Sequence, residues 1–457
     1  MTEIKMERRR CDVLVIGAGT AGMKAYKAAR RRGADVLMVE KGPGGSTCTR
    51  VGCMPSKLLI AAGRRAYEAR RALPGIDNGP VAIDGPAVLA WMRRERDRFV
   101  QSVLDEYHAI PAERRLHGEA RVTGPTTVVV GNTTVEATAI VVATGAHPTV
   151  PDGLDLPASL IHTHETIFEI ETLPAAMAVL GAGPLGLELA QAFARLGVAV
   201  TVLDEGRSIG GLKDPASTDR ARAALAREVD LHLGVQATAR SNNGRALVSW
   251  QGDEKGETEV DLILVAVGRP PTLEGLDLTA AGAPLDDHGT PTFDETTRRS
   301  GDSAIFVAGD AAGSWRPVLH EAARGGTIAG TVAAGGPPSR PIPSLAIAFT
   351  EPNLVEVGTG FADLPPGARI GHADMKDNGR ASIDGEPGGI VRLYGDADGQ
   401  LIGASIVALG GEHLGHLVAL GIDRGISVAD FADQPWYHPT VEEGLQQAAR
   451  DLAGIEA

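Results

Sequence analysis

Short apolar runs that end in glycine recur along this chain and set the order of its elements. Residues 11–16 are almost continuously apolar and β-branched, as in a strand buried on both faces of a parallel sheet. They lead into Gly17-Ala18-Gly19-Thr20-Ala21-Gly22, an alanine-rich helical stretch over 23–32, and a second strand over 35–39 closed by Glu40. The same order returns as strand 178–180, Gly181-Ala182-Gly183-Pro184-Leu185-Gly186, helix 187–196, strand 199–203 and Asp204. The two fingerprints are offset by 164 residues (181 minus 17).

Between and after them the pattern changes. Residues 58–108 are arginine-rich and helical, and the charges of 91–98 are expected on a solvated face. Short alternating strands fill 119–140, with turns at Gly124-Pro125 and Gly131-Asn132, and end in Val141-Val142-Ala143-Thr144-Gly145-Ala146-His147-Pro148. Strand 262–267, followed by Gly268-Arg269-Pro270-Pro271, echoes that ending, and 305–310 is a further apolar strand closed by Asp310. From Pro341 onward strands 389–394 and 401–407 mix with a helix over 412–423.

A chain of 457 residues exceeds one ordinary core, so two to four domains are expected. Apolar residues at 43%, charged residues at 22% and 58 glycines read as a soluble α/β protein with many strand-to-helix turns. The net charge of -14 disfavours nucleic acid and anionic membranes, since no basic stripe offsets the acidic field. The basic residues of 1–10 and the apolar run 13–16 imitate a signal peptide, but the run is too short. No apolar stretch approaches the ~20 residues of a membrane helix, so a cytoplasmic protein is expected. The three cysteines fit a reducing compartment, with Cys11 a buried, small apolar residue.

Each G-x-G-x-x-G places backbone N–H groups against a pyrophosphate and lets its helix pack close to the strand. Glu40 and Asp204 are placed to take ribose hydroxyls. Two such sites imply two dinucleotide cofactors and electron traffic between them. Asp204 accepts from a ribose diol and repels a 2′-phosphate, which favours NAD over NADP; Arg207, beside Asp204 and Glu205, is expected to be a surface charge. Asp310 is a candidate to hold the ribityl chain of a flavin.

Cys48 and Cys53 stand in Gly44-Gly45-Ser46-Thr47-Cys48-Thr49-Arg50-Val51-Gly52-Cys53-Met54-Pro55-Ser56-Lys57. Their spacing suits two thiols on the first turn and a half of one helix, able to close to a reducible disulfide. A static bridge is disfavoured by the context, and zinc by the missing further ligands. Near the end, Trp436-Tyr437-His438-Pro439-Thr440-Val441-Glu442-Glu443 puts Glu443 at a helix start, within reach to orient and polarise His438.

Over essentially its whole length the chain resembles the class I flavin-dependent pyridine nucleotide-disulfide oxidoreductases, and within them it is most similar to dihydrolipoamide dehydrogenases. Residues 17–22 with Glu40, 48–57, 181–188, 305–310 and 438–443 carry the resemblance, in the family order. It implies an FAD-binding domain over 1–149, an NAD-binding domain over 150–270, both Rossmann-like, a central domain over 271–340 that completes the FAD site, and a C-terminal α+β dimerisation domain over 341–457. It implies a homodimer in which each active site takes its His438–Glu443 pair from the partner chain.

Cys48 is then the interchange thiol, Cys53 the thiol facing the flavin, and Lys57 lies near flavin N5 paired with Glu188. The resemblance places Gly17, Gly19, Gly22, Glu40, Lys41, Thr47, Lys57, Ala120, Thr144, Gly145, Gly309 and Asp310 around FAD. It places Gly181, Gly183, Gly186, Asp204 and Gly268 around NAD. The implied reaction oxidises a dihydrolipoyl group on a carrier protein, or free dihydrolipoamide, with transfer to NAD.

The alternative is an NAD(P)H-dependent reductase of another small or protein disulfide. No cysteine follows Cys53, unlike mercuric reductases and high-molecular-weight thioredoxin reductases, and Asp204 stands where glutathione reductases have basic residues. Three departures from the family pattern remain. Ser46 lengthens the approach to Cys48; Arg50 replaces a common asparagine with a cation that either lowers a thiol pKa or, as expected here, points to solvent; and Trp436-Tyr437 make a bulky approach to His438.

Overall fold

The computed structural model describes residues 7–76, 78–313, 318–385 and 388–455, so residues 1–6 of the basic start lie outside the described residues. Strand β1 (Glu7–Ile16), helix α1 (Thr20–Arg31) and strand β2 (Val36–Glu40) form the first βαβ unit. Helices α2 (Thr47–Val51), α3 (Cys53–Arg70) and α4 (Gly85–His108) follow, then β3 (Arg115–His117), β4 (Ala120–Val122), β5 (Thr127–Val130) and β6 (Thr133–Val142). β1 lies between β2 and β6 and pairs with both in parallel, while β4, β5 and β6 form an antiparallel meander. Val13, Leu14 and Val15 are fully buried, as the continuous apolar run requires of a strand covered on both faces.

After β7 (Leu154–Asp155) and β8 (Ile161–His162), the second βαβ unit is β9 (Ala176–Leu180), α5 (Pro184–Arg195) and β10 (Ala199–Asp204). Helix α6 (Pro215–Leu225) and strands β11 (Asp230–Leu233), β12 (Val235–Asn242), β13 (Arg245–Gly252), β14 (Gly256–Val260) and β15 (Leu262–Val265) complete this part. The sheet β11-β10-β9-β15-β8 is parallel throughout, and β14-β13-β12-β7 forms a second sheet.

The last third holds β16 (Ile305–Val307), α7 (Leu319–Ala333), β17 (Leu345–Ala348), β18 (Asn353–Gly358), β19 (Arg369–Asp374), α8 (Gly379–Ile383), β20 (Ile390–Gly395) and β21 (Leu401–Ala408). Helices α9 (Gly411–Asp423), α10 (Val428–Ala432) and α11 (Glu443–Ala453) close the chain. β16 extends the first sheet by pairing in parallel with β6, whereas β17-β18-β21-β20-β19 is a separate antiparallel sheet.

The chain divides into two compact units. One comprises the chain up to Pro55 with Arg93–Thr149 and Arg269–Pro341; the other comprises Ser56–Met92, Val150–Gly268 and Ile342–Ala457. In the first, α1 and α7 touch backbone to backbone. A Cβ on Gly326 would stand 2.1 Å from the Ala21 carbonyl oxygen, and one on Gly330 2.2 Å from that of Ala25. In the same unit Cys11 is buried, which pushes its thiol up to about 12, as fits an inert core position.

In the second unit, buried Asp214 caps α6 and also accepts from Arg392 Nε at 2.9 Å and the Tyr394 hydroxyl at 2.8 Å, tying that helix to β20. Arg195 at the end of α5 is buried, which opposes its charge. Glu228 and Glu351 both pair with it and hold it protonated.

Candidate functional site

The cysteine segment is built by two glycines and a cap. Gly44 and Gly45 both adopt left-handed backbone, at φ 76° and 85°, and a Cβ on Gly44 would press on the Tyr107 ring at 3.0 Å. Ser46, the extra residue, is the N-cap of α2: its Oγ accepts from Thr49 N at 3.2 Å, and Thr49 Oγ1 donates to the Ser46 carbonyl at 3.1 Å.

Cys48 lies on α2 and Cys53 opens α3, with Gly52 between them outside helical geometry. The expectation of one continuous helix is therefore corrected. A Cβ at position 52 would stand 3.0 Å from the Thr47 carbonyl oxygen and 3.2 Å from Cys48 Cα, so a side chain at the break would crowd the backbone of α2. Arg50 also differs from expectation. Its Nε donates to the Gly44 carbonyl at 2.9 Å, so it staples the approach loop.

Both cysteines line one cleft of the first unit together with Gly19, Thr47, Gly145 and Asp310. Gly17 (φ 102°) must be glycine, because a Cβ would stand 2.3 Å from the Ala143 carbonyl oxygen; at Gly19 a Cβ would meet nothing within 4 Å, leaving the turn open to a ligand. Glu40 braces the turn: Oε2 accepts from Ala18 N at 2.6 Å and Oε1 from Gly42 N at 2.7 Å.

Arg269 lines the same cleft and pairs with Asp310 at 3.0 Å. The Arg269 Nε and Thr144 Oγ1 atoms are buried with no hydrogen-bond partner among the described residues. An open glycine turn, a ribose-competent acid and unspent polar atoms beside Asp310 fit an FAD. Gly22 packs helix against turn and Gly309 begins the short turn carrying Asp310. Lys41 forms an exposed pair with Glu119 at 3.5 Å, and Ala120 is buried in the β4–β5 meander; neither lines this stretch of cleft.

The second unit repeats the turn. A Cβ on Gly181 (φ 111°) would stand 2.5 Å from the Ala266 carbonyl oxygen and one on Gly186 2.1 Å from that of Gly181, whereas Gly183 and Gly268 are open. Asp204 braces it as Glu40 does, accepting from Ala182 N and Gly206 N at 2.6 Å each. One turn into α5, Glu188 is buried. Its Oε2 meets Lys57 Nζ at 2.7 Å and its Oε1 accepts from Phe349 N at 2.9 Å. The Lys57 ammonium also lies 4.4 Å from the centre of the Phe349 ring, which adds a cation–π contact to the ion pair.

Also in this unit, His438 Nδ1 meets Glu443 Oε1 at 2.9 Å, and Glu443 Oε2 accepts from Thr440 N at 3.0 Å. Burial opposes ionisation of Glu443, but His438 and the Thr440 N–H outweigh it and hold the carboxyl below its ordinary value. The His438 ring is 78% exposed, so its Nε2 side is open to a reacting group. Trp436 is turned inward, donating from Nε1 to the Phe431 carbonyl at 3.2 Å, and it is Tyr437, 81% exposed, that flanks the histidine.

Residues 11–326 match the pyridine nucleotide-disulphide oxidoreductase family, and residues 344–449 match its dimerisation domain. The chain belongs to this family. Its members are FAD-dependent and use NAD(P)H, and the dimerisation domain supports a homodimer. Relatives in the family include a dihydrolipoyl dehydrogenase of Haloferax volcanii, 31% identical over 97% of this chain and 96% of that one. A mercuric reductase of Streptomyces lividans is 32% identical over 96% and 95%. Among solved structures, LpdA from Mycobacterium tuberculosis superposes with a TM-score of 0.82 at 23% identity, covering 97% of this chain and 99% of that one. The chain is thus similar to a flavoprotein disulfide oxidoreductase along its full matched length. No helix among the described residues is long and apolar enough to cross a membrane.

Two residues of this family site escape a reading of the sequence alone. Phe349 has no motif around it, and its part depends on the chain returning to α5. Arg269 is visible only as the residue after Gly268, and nothing local points it at Asp310.

Proposed function

We propose that this flavoprotein is an NAD-linked dihydrolipoamide dehydrogenase that oxidises a dihydrolipoyl dithiol, carried on a lipoylated protein or free, to the disulfide. The observation that supports it most is the single cleft holding Cys48, Cys53, the first phosphate turn and Asp310, which puts dithiol chemistry beside a flavin site. Asp204, with Arg207 tied away from it, supports NAD over NADP. The whole-length identity to dihydrolipoyl dehydrogenases supports the substrate class.

In this reading residues 1–149 and 271–340 serve FAD, 150–270 serve NAD, and 341–457 build the homodimer. The partner's His438 takes the proton of a dihydrolipoyl thiol, because a free thiol is only a few per cent ionised near neutral pH. Glu443 keeps the Nδ1 proton in place and stabilises the imidazolium. The thiolate attacks Cys48 Sγ of the closed pair, forming a mixed disulfide and releasing Cys53 as thiolate. The second substrate thiol then displaces Cys48, so the lipoyl group leaves as the disulfide and both cysteines are reduced. When bound, FAD supplies the two-electron acceptor that re-closes the pair and hands the electrons to NAD. Lys57, fixed by Glu188, would supply a positive charge to the flavin in this reading.

The test is purified holoenzyme with dihydrolipoamide and NAD, alongside His438→Ala and Cys48→Ser. Turnover by the native protein is expected. His438→Ala is expected to lose dithiol exchange while NADH oxidation by artificial dyes persists; equal loss of both refutes the assigned role. A second reading, a reductase running from NAD(P)H toward another acceptor, draws support from the mercuric reductase relatives. Absent lipoamide turnover beside brisk NADH-dependent reduction of another disulfide selects it.

A further inference from the structure

We infer that Asp253 is a specificity-determining residue of the second nucleotide site, holding Arg207 so that it cannot receive a 2′-phosphate. The inference rests on the reading of the second glycine turn as a pyridine-nucleotide site.

Arg207 follows Asp204 by three residues, at the carboxyl end of β10 where the adenosine ribose of a bound dinucleotide lies. Taken alone it is a phosphate-binding residue in the right place, since a guanidinium near this acid is what accommodates a 2′-phosphate. Its charge is already matched by a carboxylate. Nε meets Asp253 Oδ2 at 2.8 Å and Nη2 meets Oδ1 at 2.6 Å, a two-bond pairing.

Exposed ion pairs are ordinarily weak because two flexible side chains must be ordered to meet. Here the backbone does part of that ordering. Asp253 lies in the turn after β13, its N–H donating to the Gly234 carbonyl at 3.1 Å, and Gly234 N donates to the Gly206 carbonyl at 2.9 Å. The approach is so close that a Cβ on Gly234 would stand 2.5 Å from Asp253 Oδ2. The residue before Arg207 is thus linked through Gly234 to Asp253, and the two charges are presented to each other.

The remaining charges of this rim do not relieve the pairing. Glu254 meets His232 Nδ1 at 2.8 Å, and Asp230 meets Nε2 of the same ring at 3.0 Å, so both acids are engaged elsewhere. Glu205, Glu254 and Lys255 line the same depression as Asp253, which leaves it acidic. A 2′-phosphate, bringing a charge of about -1.5 to -2, would meet repulsion from Asp204 and from Asp253, whose carboxylate neutralises the one guanidinium close to Asp204 in sequence. A ribose diol meets no such penalty.

The test compares native holoenzyme, Asp253→Asn and the double variant Arg207→Ala/Asp253→Asn by calorimetric titration with 5′-AMP and with 2′,5′-ADP. The rate of flavin reduction by NADH and by NADPH is measured in parallel. Asp253→Asn is expected to tighten 2′,5′-ADP about tenfold, to change 5′-AMP by less than about twofold, and to raise the NADPH rate in step. The gain should shrink with added salt and disappear in the double variant. An unchanged preference in Asp253→Asn overturns the inference, as does a gain that survives loss of Arg207. If the native protein binds neither 5′-AMP nor NADH, the nucleotide reading of the second turn fails, and the inference with it.

Discussion

The two glycine turns are the same device placed twice, and what differs is what has been attached to each. Over 17–40 and 181–204 the repeat holds without a gap, since 204 minus 40 is again 164. α1 and α5 begin and end at equivalent residues, Glu40 and Asp204 brace equivalent N–H groups, and the open middle glycine is Gly19 in one and Gly183 in the other. The first turn opens onto a cysteine pair and is completed by Asp310 and Arg269. The second carries buried Glu188 at the position where the first has exposed Lys24 (188 minus 164). The same backbone geometry therefore suits both turns to a dinucleotide, and in the proposed reading a handful of appended side chains separates a thiol-facing site from a nicotinamide-facing one.

The largest test of this comparison sets Gly22→Ala against Gly186→Ala. Each adds a Cβ within 2.1 Å of a carbonyl oxygen, so each should cost about 3 kcal/mol or more by urea unfolding. The functional losses should separate: Gly22→Ala purifies with depleted flavin, whereas Gly186→Ala keeps flavin and loses reduction by NADH. Matching losses in both variants would break the division of labour.

Glu188→Ala and Lys24→Ala probe the point where the repeats diverge. Removing Glu188 strands Lys57 and the Phe349 N–H, for an expected loss of about 2–3 kcal/mol, below the fully buried case because Lys57 is 35% exposed. Lys24→Ala should stay within about 0.5 kcal/mol, and a similar cost at both positions would contradict the different environments of the two sites.

A more graded effect concerns acid. Arg220 pairs with Asp374 through two bonds in the second unit and holds its carboxyl well below the usual range. A depressed folded pKa stabilises the protein above the unfolded value of about 4, and the contribution is lost as pH falls through the folded one. Asp374→Asn should therefore lose less stability than the native chain between about pH 5 and about pH 2, read from unfolding midpoints. Equal slopes would remove Asp374 from the account of acid sensitivity. The smallest expected change is Ser46→Ala, about 1 kcal/mol from the lost cap of α2, confined to the turn that carries the cysteines.

Much of this was legible in residue order. The paired βαβ units, the short strands over 119–140, the mixed strand-and-helix tail and the Glu443 helix start all follow from apolar runs, glycines and acids that act within a few residues of one another. The spacing of Cys48 and Cys53 suits one helix, but the backbone leaves helical geometry at Gly52, which periodicity does not register. Arg50 is illegible for a related reason, since its acceptor is a carbonyl on a loop shaped by two left-handed glycines.

The sequence by itself determined the two glycine turns, the acids that close their second strands, the cysteine pair and the His438–Glu443 couple. Each depends on short-range geometry that residue type and spacing impose. Only the tertiary structure decided that Phe349 closes over Lys57, that Arg269 reaches Asp310, and that Arg207 is held by Asp253 from 46 residues away. Those pairings arise where separate loops are brought together by packed sheets, and no local periodicity encodes which loops will meet.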